Sequence, residues 1–145
     1  MRFLQRFRDS RSPERGAVAV EFALVLPIFV LLVFGIAEYG RAFNIQVSLS
    51  EAAREASRYA AIHSSDTGYT PADARSAGIA AAPSVPLVPA DIAIAYSPGS
   101  ACAADSNVIV TITYSVPYMT GLPNLVPGMS PNLTVSSRGV MRCAG

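Results

Sequence analysis

The sequence predicts a membrane-anchored α+β protein: a long N-terminal helix, transmembrane then amphipathic, packed on a small antiparallel β-sheet. Three observations carry that prediction. Residues 17–37, AVAVEFALVLPIFVLLVFGIA, are 21 positions with a single charge, Glu21. Helical periodicity then continues beyond the apolar run to about residue 64. After it come stretches that alternate apolar and polar with the period of a strand. A chain of 145 residues has room for one small domain beside such a helix.

At ~1.5 Å per residue the apolar run makes about 31 Å of helix, close to the ~30 Å bilayer core. All 11 basic residues of the chain are Arg. Five of them lie in residues 1–16 against Asp9 and Glu14, a net of +3; the whole chain is +1, so the rest sums to −2. Only Arg41 follows the run promptly. The positive-inside rule therefore leaves the N-terminus in the cytoplasm and sends residues 38–145 across the inner (cytoplasmic) membrane. The lipid bilayer is the first partner expected, and nucleic acid is not one, because a nucleic-acid binder carries its basic surface on the folded part. The organisation is a basic cytoplasmic leader (1–16), a transmembrane helix (17–37), its amphipathic continuation (38–64) and a small extracytoplasmic α+β domain (65–145). A buried core helix is the bland reading, yet so short a chain cannot wrap 21 apolar residues on all sides. A cleaved secretory signal is the stronger rival, with Gly35-Ile36-Ala37 as its cut. Glu21 inside the run and the early position of Pro27 argue against it.

Past the run, Ile45, Leu49, Ala52, Ala56, Tyr59 and His63 fall on one helical stripe, with Glu51, Arg54, Glu55 and Arg58 opposite. The pairs Glu38/Arg41, Glu51/Arg54 and Glu55/Arg58 have the i,i+3 spacing that adds ~0.2–0.5 kcal/mol each. Gly35 and Gly40 weaken the helix, and Pro27 should kink it. Thr70-Pro71-Ala72-Asp73 reads as an N-cap, a proline at the first helical position and an acid at the third. A short helix to about Ala82 follows, then a proline-spaced link. Ile92, Ile94 and Tyr96 alternate, as do Val108, Val110, Ile112, Tyr114 and Val116; Leu133, Val135 and Met141 mark a third strand ending at Arg142. A sheet with one oily face needs a cover, which the helical stripe supplies.

Most chemical signals are weak. The one His, His63, sits on the oily stripe as a structural residue would, and the two Cys are 41 positions apart, so zinc spacing fails. No nucleophile elbow, P-loop or dinucleotide fingerprint is present. No enzyme, cofactor or metal is expected. Cys102 precedes one strand and Cys143 follows another. If those strands pair antiparallel, the two thiols meet at one edge, and an extracytoplasmic compartment would let them form a disulfide.

The junction Arg15-Gly16-Ala17-Val18-Ala19-Val20-Glu21-Phe22 is the most specific feature. With the exit Gly35-Ile36-Ala37-Glu38-Tyr39-Gly40-Arg41 and the segment AAREASRYAA, it resembles the TadE-like family, pseudopilin-type components of the tight-adherence (Flp, type IVb) pilus assembly system. The resemblance covers about residues 15–60. It implies a pilin-like fold and a substrate of the prepilin peptidase, which cuts after the leader's last glycine. Gly16 would be that glycine, Ala17 the new N-terminus, and Glu21 the fifth mature residue, whose carboxylate serves assembly. Other pilins or pseudopilins and the assembly platform would be partners, and the chain could enter a pilus. A carboxylate in the membrane costs up to ~2.5–3.5 kcal/mol when central, and a neighbour's freed α-amine would offset it; a Glu snorkelling to the cytoplasmic face is the plainer reading. The alternatives are a TadE-like anchor that stays in the envelope without polymerising, and a secreted binding protein released by signal peptidase.

Overall fold

The computed structural model describes residues 13–121 and 128–143, with side chains from Gly16 onward. Of the basic leader, residues 1–12 lie outside the described residues. The elements are α1 (Pro13–His63), α2 (Pro71–Ala81), a single 3₁₀ turn (Pro89–Asp91), β1 (Ile92–Ser97), β2 (Asn107–Pro117) and β3 (Asn132–Arg142). The chain divides into two compact units, Met1–Ala37 and Glu38–Gly145.

In the first unit, α1 runs without interruption through Pro27 and Gly35. Every residue from Gly16 to Ala37 is exposed. This helix, apolar apart from Glu21 and covered by nothing among the described residues, is long and apolar enough to cross a membrane.

The second unit is an antiparallel sheet of three strands, ordered β1-β2-β3, with the remainder of α1 and then α2 against it. Its register explains the alternation in the sequence. Ile92 pairs with Ile112, Ile94 with Val110 and Tyr96 with Val108. On the other side Val110 pairs with Gly139, Tyr114 with Val135 and Val116 with Leu133. These positions share one face, and Val108, Val110 and Ile112 are fully buried on it. Leu49, also at zero exposure, comes from α1. Burying each such side chain contributes about 1.5–3 kcal/mol.

The buried arc of α1 is wider than one stripe. Ala53, Ser57, Ala60 and Ala61 are buried along with Ile45, Leu49, Ala52 and Ala56. Two partners account for the width. A Cβ placed on Gly139 of β3 would overlap the Ala53 carbonyl and lie 3.0 Å from the Arg54 nitrogen, so backbone meets backbone there. A Cβ on Gly78 of α2 would lie 3.0 Å from Ala56 Cβ and 3.1 Å from the Ala52 carbonyl oxygen. Alanine on one side and glycine on the other let three elements approach closely. α2 begins as its sequence predicts: the Thr70 amide and hydroxyl both donate to Asp73 Oδ2, at 2.7 and 2.8 Å.

Candidate functional site

Gly16, Ala17 and Glu21 lie on the first turns of α1, all exposed. The helix starts at Pro13, so the Gly16–Ala17 peptide is itself helical, and its N–H falls at the i,i+4 position to the Pro13 carbonyl. The five steps from Gly16 to Glu21 separate their backbone positions by about 7.5 Å along the axis. A Cβ on Gly16 would meet nothing within 4 Å, so packing within the chain gives no reason for glycine there.

Cys102 and Cys143 are joined in a disulfide, with their Cα atoms 5.6 Å apart. The register brings them together: Asn107 faces Arg142, so the chain entering β2 and the chain leaving β3 lie side by side. The Cys143 amide donates to the Ser106 carbonyl at 2.9 Å, and the Ser106 hydroxyl donates to the Ala103 carbonyl at 2.8 Å. Arg142 also pairs with Asp105 at this end of the hairpin.

The three Glu/Arg pairs of α1 part ways. Glu55 and Arg58 form an ion pair of 2.7 Å, which lowers the Glu55 pKa and raises that of Arg58. Among the described residues neither of the other two pairs forms an ion pair. Glu38 Oε1 instead accepts from the Thr120 amide at 2.8 Å and the Thr120 hydroxyl at 3.1 Å. Arg41 Nη1 donates to the Pro117 carbonyl at 2.9 Å. Both charges grip the far end of the β2–β3 hairpin. The spacing alone favoured partners on the same helix, and no motif in residues 117–121 signals the clamp.

His63 is accounted for by local contacts. Its Nδ1 donates to the Tyr59 carbonyl at 3.1 Å, and its ring stacks on Tyr59 with centroids 4.2 Å apart. Among the described residues no cluster of three or more His, Cys, Asp or Glu could hold a metal ion.

Fold and site together define a class: a small α+β domain carried on one apolar helix fit to anchor it in a membrane. Residues 16–58 match the family model described as TadE-like protein, and it is this segment of the chain that is similar to that family. The match begins at Gly16 itself and ends before the sheet. No curated protein and no solved structure matches the chain.

Proposed function

We propose that the chain is a single-pass minor pilin or pseudopilin of a tight-adherence pilus assembly system, a structural component with no catalytic role. It sits in the inner membrane with its N-terminus cytoplasmic and residues 38–145 outside. Prepilin peptidase removes residues 1–16, and the new Ala17 amine of one subunit meets the Glu21 carboxylate of a neighbour. One observation carries the reading: the TadE-like match starts at the glycine directly before the apolar run, a stretch of helix that no other described residue covers. Such a helix has a surface for lipid first and for other subunits' helices later.

The unprocessed-anchor reading has its own support, because Gly16 lies within the helix and a peptidase must unwind that turn. Complementation separates the two. Glu21→Ala should insert normally, since removing a charge only favours insertion. Surface pili should be lost, because an α-amine left unpaired in low dielectric costs several kcal/mol. Normal piliation by Glu21→Ala at normal protein level would leave the anchor reading standing.

A further inference from the structure

The second unit carries its charges unevenly. Residues 106–137 contain no Asp, Glu, Lys or Arg, and residues 42–50 of α1 contain none either. The charged and cross-linked end of the hairpin holds Asp105, Arg142 and the Cys102–Cys143 bond. Its other end, where Pro117 faces Asn132, lies on the order of 30 Å away along the strands. This uncharged end is the one gripped by Glu38 and Arg41. Glu38 directly follows the apolar run, so chain connectivity alone keeps the hairpin end within a side-chain length of where that run stops. Both local charges are turned into hydrogen bonds with the hairpin. Exposed there are the large side chains of Tyr39 at 74%, Met119 at 72% and Phe43 at 61%, beside uncharged polar ones such as Asn44 and Asn132. Tyr39 and Phe43 also line an open groove with Leu133 and Thr134 of β3.

We propose that Tyr39, Phe43 and Met119, described residues at this end of the domain, seat in the headgroup layer of the bilayer as a second membrane contact in addition to the span. The occupant is lipid rather than another protein because Tyr39 and Phe43 follow the apolar run within six residues along the chain, and because an aromatic, charge-free surface suits the boundary between headgroups and acyl chains. Amphipathic aromatic rings favour that depth. With no Lys or Arg in residues 42–50 or 106–137, the contact is apolar and does not require anionic lipid.

The inference rests on residues 17–37 being a membrane span, and the test separates the two. The full chain, carrying Leu31→Cys, Met119→Cys or Thr67→Cys labelled with an environment-sensitive fluorophore, is reconstituted in phosphatidylcholine vesicles. Thr67 is exposed beyond the far end of α1. Nitroxide-bearing lipid should quench the label at 119 several-fold more than at 67, and iodide should do the reverse, in low and high salt alike. Equal iodide access at 119 and 67, with 31 quenched by lipid, overturns the inference and leaves the span intact. A label at 31 untouched by lipid overturns both. A label at 119 shielded from lipid and iodide alike points to a second protein on the patch and overturns the lipid assignment.

Discussion

Gly139 shows how one residue sets the geometry of the domain. It lies on the core face of β3 opposite Val110, where any Cβ would overlap the Ala53 carbonyl of α1. Gly139→Ala must therefore push helix and strand apart, an overpacking cost of about 1–3 kcal/mol. Denaturant titration of the detergent-solubilised chain should show that loss; an unchanged midpoint would mean helix and strand do not meet there. The sequence gives no hint of this role, since a glycine in a strand pattern equally marks a bulge. Leu49 is the contrary case: a large apolar residue on a clear helical stripe, buried as the periodicity predicts. Buried Ala53, Ala60 and Ala61 escape that reading, because alanine is as common on exposed helix faces as on covered ones.

At the scale of elements, the cap of α2 and the alternation of the strands were legible and the cross-element hydrogen bonds were not. Thr70-Pro71-Ala72-Asp73 starts α2 because capping chemistry is local and depends on residues three apart. The two donors of Thr70 hold the Asp73 carboxyl below its ordinary range. Folded Asp73 binds a proton more weakly than unfolded Asp73, so its stabilisation is whole above pH ~4 and declines as pH falls through the depressed folded value. Asp73→Asn should lower the melting temperature at neutral pH, with the gap to the parent closing in acid; a gap constant with pH would mean the carboxylate's charge is immaterial. The alternation that placed β1, β2 and β3 also placed the two cysteines at one hairpin end, given antiparallel pairing. Closing so long a loop stabilises by on the order of 4 kcal/mol in the chain-entropy account. Protein taken from the envelope should therefore yield a single Cys102–Cys143 cross-linked peptide pair, and reduction should lower its unfolding midpoint. Two free thiols in that map would remove the disulfide from the account. The Glu38 and Arg41 clamp had no such local signal, because its partners Thr120 and Pro117 lie 82 and 76 residues away.

For the whole molecule, the division at Ala37/Glu38 separates two kinds of physics. The first unit has an apolar helix that no other described residue covers, so its stability is expected to come from what surrounds it. The second has a core of its own, built from α1, α2 and the sheet. The candidate site sits wholly on the first, and the folded domain contributes none of Gly16, Ala17 or Glu21. A site of that kind would be read as a linear motif, through consecutive residues and without a pocket. The central claim is that this terminus is processed, and it is tested most directly by the intact mass and N-terminal sequence of the protein extracted from membranes that contain a prepilin peptidase. The account predicts a chain beginning at Ala17, and a full-length chain when Gly16 is replaced by Leu. A mature N-terminus at Glu38, or a parent chain still carrying its leader beside the active peptidase, would contradict it.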